Sequence, residues 1–367
     1  MWVVRHRVWN FSAGPGILPV SVLEHARDEL LAHADVGASV LELSHRSRAF
    51  EAVIAEAERN LRELLRVPPT HQVVFLQGGA SLQFSMVPMN LLRSSATPAA
   101  YVLTGSWSKK ALAEARREGE AAVAWDGEPT GFRTVPDSLE GLGHGAAYLH
   151  VTSNETIEGV QLGSGFEPAD GTPLVCDASS DFLSRPIRVE RYGLLYAGAQ
   201  KNAGPAGLTV VIVREDVLAR IPDGLPTMLD YRTHVEHRSR YNTPPTFAVY
   251  VLALVTGWIQ DEIGGLEPML ARNREKATLL YEAIDASEGF YRGHAAPAAR
   301  SLMNVTFRLP SKELEEAFVA QAAAADLIEL RGHRSVGGIR ASIYNAMPIE
   351  GVRALRGFME GFASRHA

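Results

Sequence analysis

The chain has 367 residues, 46% of them apolar and 21% charged, a balance that excludes a disordered or fibrous protein. Its 36 Lys and Arg against 42 Asp and Glu leave a net charge of −6, whereas a nucleic-acid binder would carry a basic excess. Only five of those cations are lysines (109, 110, 201, 276 and 312), so chemistry that needs a primary amine has five places to reside. The first residues, Met-Trp-Val-Val-Arg-His-Arg-Val, interrupt any apolar run with charge, so no signal peptide is expected. From about residue 20 to 215, short apolar runs alternate with helical patterns. Val73–Leu76 reads as a buried strand ending at Gly78-Gly79, with a helix following to Leu92. Tyr101–Leu103 is a second strand, and a helix runs from Gly105 through Arg117. Asp126 to Gly145 reads as an irregular excursion. The runs Ala147–His150, Leu174–Cys176, Leu194–Ala197 and Leu208–Val213 complete the strands. This alternation predicts an α/β fold with a mostly parallel sheet covered on both faces.

Thr246 to Ile259 is apolar for about 14 residues, short of the ~20 that span a bilayer, and reads as a buried helix. Beyond residue 260 the pattern becomes α+β: helices at Leu266–Ile284, Leu314–Asp326 and Ile349–Ala363, with strands at Met303–Phe307 and Ile339–Tyr344. The expected division is a large domain over 17–260 and a smaller one formed by 1–16 and 261–367. The single cysteine, Cys176, excludes an intrachain disulfide, and a soluble, cytoplasmic protein is expected.

In an open α/β sheet, ligands bind beyond the carboxyl ends of the strands. Four lysines lie in charged surroundings: Lys109 and Lys110 beside Glu114 and Arg116, Lys276 in Arg-Asn-Arg-Glu-Lys, and Lys312 beside two glutamates. These read as solvated helix faces. Lys201 differs. It sits among small apolar residues directly after a strand, where partial desolvation lowers an amine's pKa and frees its lone pair for imine formation. Asp177 ends the neighbouring strand. It is an N-cap, a metal ligand or, if Lys201 holds pyridoxal phosphate, the acid that keeps the cofactor's ring nitrogen protonated. Gln77-Gly-Gly-Ala80-Ser81 leads from strand to helix and offers free N–H groups to a phosphate. Trp107 is either a core residue or a ring that stacks on a planar ligand. Thr156, Asn242 and Thr243 lie in loops, as turn residues or as donors. Two His-Arg pairs, His45-Arg46 and His333-Arg334, with Arg340 further on, are candidate readers of carboxylate or phosphate.

Seven motifs occur in order from about residue 9 to the C-terminus: Asn10-Phe-Ser-Ala-Gly-Pro15, Leu43-Ser-His-Arg46, Gln77 to Phe84, Asn154-Glu-Thr-Ile-Glu-Gly159, Tyr196 to Asn202, Tyr241 to Phe247, and Gly332-His-Arg through Arg340 to Ala346. Together they resemble the phosphoserine aminotransferase family. The resemblance implies a fold-type I, class V aminotransferase with a seven-stranded-type sheet in its large domain, and a homodimer with its sites at the subunit interface. It implies a Schiff base on Lys201, Asp177 against the pyridinium nitrogen and Trp107 stacked on the ring. Ala80, Ser81, Thr156 and Gln200 would hold the phosphate and ring substituents, with Asn242 and Thr243 reaching in from the partner chain. Arg340 would take the substrate α-carboxylate. His45, Arg46, His333 and Arg334 would surround the substrate's phosphate or the side-chain carboxylate of glutamate. The implied reaction moves the amino group of L-glutamate to 3-phosphohydroxypyruvate, giving O-phospho-L-serine and 2-oxoglutarate in serine biosynthesis. The related 4-phosphohydroxythreonine of pyridoxine biosynthesis is left open. Some members carry Gly-Arg where this chain has Ala80-Ser81, so here anion binding must rest on N–H groups and a hydroxyl.

Four rival readings follow from the same residues. A cysteine desulfurase needs a thiol on a mobile loop, and Cys176 is in a strand. A serine–pyruvate type aminotransferase shares the cofactor chemistry, and the His-Arg pairs favour a phosphorylated substrate instead. A non-catalytic binding protein on the same fold is disfavoured by Lys201, Asp177 and Trp107 occurring together. A nucleotide-binding protein would need a phosphate-loop motif that is missing. His234-x-x-His237 lacks partners at ligand spacing, so no metal site is expected.

Overall fold

The computed structural model describes residues 7–163 and 171–366. In chain order the strands are β1 (Trp9–Asn10), β2 (His71–Leu76), β3 (Ala99–Leu103), β4 (Ala121–Asp126), β5 (Leu149–Thr152), β6 (Asn154–Glu155), β7 (Val160–Gln161), β8 (Leu174–Asp177), β9 (Tyr192–Gly198), β10 (Thr209–Arg214), β11 (Arg292–Gly293), β12 (Asn304–Arg308), β13 (Leu327–Ile328) and β14 (Ile339–Ser342). The helices are α1 (Val20–Glu29), α2 (Arg48–Leu65), α3 (Gly79–Leu91), α4 (Ser106–Glu118), α5 (Glu215–Leu218), α6 (Tyr231–Glu236), α7 (Thr246–Trp258), α8 (Leu266–Asp285), α9 (Lys312–Ala324) and α10 (Ile349–His366).

Seven strands form one sheet in the order β2-β10-β9-β8-β5-β3-β4. Strands β4, β3, β5, β8 and β9 are parallel, and β10 runs antiparallel to both β9 and β2. Apart from the edge strand β4, the parallel strands are buried and rich in Val, Leu and Tyr, as a sheet covered on both faces requires. Alternate residues feed two cores. Leu103, Val175 and Tyr196 pack with Phe84 and Leu112 of α3 and α4. Val102, Val151, Cys176 and Leu195 pack with Phe50 and Leu61 of α2 and Leu252 of α7. A third core joins Phe11 and Ile17 to Leu280, Phe318, Ile343 and Phe362. Strand β1 pairs in parallel with β13, which ties the first described residues to the C-terminal third of the chain.

Local chemistry fixes the helix ends. Ser47 caps α2 by accepting from Phe50 N at 3.3 Å, and α2 stops where Arg66 turns left-handed. Ser311 caps α9 through Leu314 N. Gly78 precedes α3 with φ +92°, and a Cβ there would lie 2.6 Å from Leu82 Cβ, so only glycine fits that turn. No described helix is long and apolar enough to cross a membrane.

Two expectations need correction. Residues 121–126 form an edge strand that the expected series of strands omits. Lys276 is not on a solvated face: it is fully buried, and its Nζ donates to the carbonyls of Ile343 (2.9 Å) and Tyr344 (2.7 Å). Lys110 is exposed, as expected, and its Nζ lies 4.1 Å from the centre of the Trp107 ring in a cation–π contact.

Candidate active site

Because β3, β5, β8 and β9 are parallel, their carboxyl ends share one edge, and the residues that follow them meet there. Register places Thr152, Asp177 and Tyr196 in one row on the face covered by α3 and α4. Asp177 is buried, and its Oδ1 accepts from Ser179 N at 2.9 Å. Burial raises its carboxyl to about 6, against the opposing pull of the Ser179 hydrogen bonds and the Lys201 charge.

Lys201 follows β9. Its Nζ donates to the Ala13 carbonyl at 2.7 Å, and Tyr344 Oη donates to the same oxygen at 2.7 Å. The turn at Gly14 lies against the lysine: a Cβ there would sit 3.2 Å from Lys201 Cδ and 3.4 Å from Nζ. Burial first, and the nearby Arg340 second, lower the Lys201 amine to about 8, while Asp177 works in the opposite direction. Gln200 O accepts from Gly16 N at 2.7 Å, so both Gln200 and Lys201 are pinned against the N-terminal segment.

Trp107 occupies the first turn of α4, beside Phe84 of α3 at 6.4 Å between ring centres. Ala80 and Ser81 lie in the first turn of α3, which has no side-chain cap, leaving N–H groups for an anion. Thr156 is buried in the turn between β6 and β7, and Arg340 Nη1 of β14 donates to its carbonyl at 3.3 Å. His333 is half-buried, and the positive charges of Arg340, Lys110 and Arg334 add to burial in lowering its pKa. Charge interactions link Asp177, Lys201, Arg340 and His333, and the Arg340 hydrogen bond adds Thr156, at this edge of the sheet, the candidate cleft; Trp107 joins through Glu155 beside Thr156, Gln200 precedes Lys201, and exposed Arg334 follows His333. Asn242 and Thr243 are exposed, with Gln77 Nε2 donating to the Thr243 carbonyl at 3.1 Å beside the start of α3. His45 and Arg46 pair with each other at 3.4 Å, and no hydrogen bond among the described residues ties them to the cleft.

Several partners were missed from sequence. The Ala13 carbonyl and Tyr344 lie within quoted motifs, but a backbone acceptor leaves no side-chain signal. Glu155 and Glu158 flank Thr156 and bind the N-terminus of α4. Cys176 faces away from the cleft, toward a cavity of about 810 Å³ lined also by Val151, Arg185 and Tyr192. Burial pushes its thiol up, away from the reactive thiolate. His234 is buried with Nε2 2.9 Å from the Met228 carbonyl.

The sequence family Aminotransferase class-V matches residues 8–355. The phosphoserine aminotransferase of Laribacter hongkongensis is 56% identical over 360 residues, covering 98% of this chain and 99% of its own. The structure of phosphoserine aminotransferase from Bacillus circulans subsp. alkalophilus superposes with a TM-score of 0.95 at 51% identity, covering 98% of this chain and 99% of that one. The chain belongs to the class-V aminotransferases, within the phosphoserine aminotransferase family. A pyridoxal-phosphate-bound phosphoserine aminotransferase from Trichomonas vaginalis matches with a TM-score of 0.88 at 40% identity, over 96% of this chain and 100% of that one. The fold is thus that of the fold-type I aminotransferases, and pyridoxal phosphate is the cofactor.

The residues of this class-V aminotransferase fit that group. Trp107 Nε1 and Thr152 Oγ1 are buried without a hydrogen-bond partner among the described residues. Asp177 is a carboxylate that burial raises to about 6 even with Lys201 nearby, and a protonated ring nitrogen beside it would favour its anion. The Lys201 amine is the one lysine in the cleft whose pKa has been lowered toward neutrality.

Proposed function

We propose that this phosphoserine aminotransferase transfers the amino group of L-glutamate to 3-phosphohydroxypyruvate, with Lys201 as the amine that carries the cofactor and then moves the substrate's proton. The observation that supports this most is the Lys201 amine, lowered to about 8 and held beside Asp177 and Arg340. When bound, pyridoxal phosphate supplies an aldehyde that condenses with amines and a ring that accepts the electron pair left when the substrate Cα–H breaks. Asp177 keeps the ring nitrogen protonated through its charge. The indole of Trp107 stacks on the ring and excludes water from one face. Ala80, Ser81, Thr156 and Gln200 hold the phosphate and ring substituents.

Arg340 grips the substrate α-carboxylate through its two-pronged guanidinium. Lys201 Nζ then takes the Cα proton as general base and returns it as general acid. The second substrate uses the same residues in reverse order. One pocket must therefore accept a side-chain carboxylate and a side-chain phosphate in turn, a task suited to His333 and Arg334 together with His45 and Arg46. The exposed position of Asn242, Thr243 and Arg46 supports a homodimer in which these residues complete the partner's site. A division into a domain over 17–260 and one of 1–16 with 261–367 is supported by the third core, although Ile17 packs in that core and Leu266 and Met269 pack in the first. Cytoplasmic location fits the lone buried thiol, and 4-phosphohydroxythreonine fits the same phosphate-binding residues.

The test compares 3-phosphohydroxypyruvate with hydroxypyruvate as acceptors of the amino group from glutamate. The reading expects the phosphorylated acceptor to win by about 100-fold or more in kcat/KM, from two or more charge-assisted hydrogen bonds. Equal use of both would sink the phosphate assignment and favour a serine–pyruvate type enzyme.

A further inference from the structure

The N-terminus of α4 is built unusually. Its cap position is Gly105, which has no side chain to accept the free N–H groups. Two carboxylates from the β6–β7 turn take that place. Glu155 Oε2 accepts from Trp107 N at 2.9 Å. Glu155 Oε1 accepts from Ser108 N at 2.9 Å and from Ser108 Oγ at 2.7 Å. Glu158 Oε1 accepts from Ser106 N at 3.0 Å and from Ser106 Oγ. Glycine at 105 makes room for them: a Cβ there would lie 2.5 Å from Glu158 Oε2 and 2.7 Å from Glu155 Cδ.

We propose that Glu155 and Glu158 are positioning residues that set the Trp107 indole over the cofactor ring, by capping α4 from the same turn that carries Thr156. The proposal rests on the reading of Trp107 as the ring-stacking residue. The turn is itself held from the other side. Asn154 Nδ2 donates to Ser180 Oγ (2.7 Å) and Asn304 Oδ1 (2.8 Å), and Thr306 Oγ1 donates to the Glu158 carbonyl (2.8 Å). Arg340 donates to the Thr156 carbonyl. Thus one turn fixes a stacking ring, a cofactor-contacting hydroxyl and the carboxylate reader relative to each other, and both glutamates reach substrate only through other groups.

The two glutamates are not equivalent. Both oxygens of Glu155 are occupied by three donors, which suits the full anion at a helix N-terminus. Glu158 uses only Oε1, and its Oε2 is buried with no partner. Burial raises both pKa values, and at Glu155 the neighbouring Glu158 charge adds to it, so the pair holds less than two negative charges near neutral pH. An amide at 158 can keep its oxygen on Ser106 and place its nitrogen at the vacant Oε2. An amide at 155 must point a donor at a donor.

The test uses Glu155→Gln, Glu158→Gln, Ser108→Ala and, as reference, Trp107→Phe. Pyridoxal 5′-phosphate is titrated into each cofactor-free protein. Its Kd, the visible circular dichroism per bound cofactor and the cofactor-free Tm are measured. Glu155→Gln is expected to weaken binding about tenfold and to alter the dichroism as Trp107→Phe does, with Glu158→Gln within about threefold of the parent. Should Glu155→Gln fail to fold, Ser108→Ala, which removes one of the three donors, is expected to weaken binding about threefold with the same change in dichroism. The proposal is overturned if Glu155→Gln or Ser108→Ala lowers only the Tm, leaving Kd and dichroism unchanged while Trp107→Phe alters them. If Trp107→Phe alters neither, the stacking role of Trp107 falls and the positioning role falls with it.

Discussion

Replacing Lys201 with methionine should stabilise the cofactor-free protein while abolishing its activity. The folded structure lowers this amine from the usual 10.5 to about 8, mainly by burial. A lowered lysine pKa means that the charged form is disfavoured in the folded state. Below pH 8 both states are protonated and folding bears the full penalty; it shrinks as pH rises from 8 to 10.5, where the unfolded chain also loses its proton. The difference of about 2.5 pKa units corresponds to about 3 kcal/mol at pH 7 and about 1 kcal/mol at pH 10. Methionine keeps the length and apolar bulk but forfeits the hydrogen bond to Ala13 O, worth about 1 kcal/mol. The net gain expected at pH 7 is about 2 kcal/mol, vanishing by pH 10. Urea unfolding of the two cofactor-free proteins at equal concentration, at pH 7 and pH 10, measures it. A Lys201→Met protein that is no more stable than the parent at pH 7, or whose advantage grows with pH, would refute the argument that desolvation tunes this amine.

Asp177→Asn keeps the shape of the site but removes the charge opposite the cofactor's ring nitrogen; kcat for amino transfer should fall about 100-fold or more, and an unchanged kcat would remove Asp177 from that role. Arg340→Lys retains the charge but not the fork. KM should rise about tenfold for glutamate and for the phosphorylated acceptor alike, since both present an α-carboxylate; a rise confined to one substrate would place Arg340 on the side chain instead.

The sheet was legible where burial is complete. Val73–Leu76 is a continuous apolar run and Leu208–Val213 is one broken only by Thr209, and the strands β2 and β10 contain or nearly match them. Strand β4 was not: Ala121–Trp125 is apolar, but three of its five residues are alanine, which favours helix over strand, and half the strand is exposed at the sheet edge. The antiparallel direction of β10 was equally invisible, since alternation reports burial and not strand polarity. In the site, Lys201 and Asp177 stood out because charged residues in small apolar settings after strands are rare. Lys276 was misread because its immediate neighbours are charged. Helical spacing held the better signal: Met269, Asn273, Lys276 and Leu280 fall on one buried face of α8. The carboxylates of Glu155 and Glu158 were hidden by Thr156 between them, and their targets are backbone N–H groups that no sequence displays.

Lys201, half-buried, and Lys276, fully buried, both have lowered pKa values, and only the first faces the cleft. Borohydride reduction of the protein loaded with pyridoxal 5′-phosphate, followed by proteolysis and mass spectrometry, distinguishes them directly. The account predicts a single reduced phosphopyridoxyl group, on the peptide containing Lys201. The group on Lys276, on Lys110 or on no lysine would contradict it.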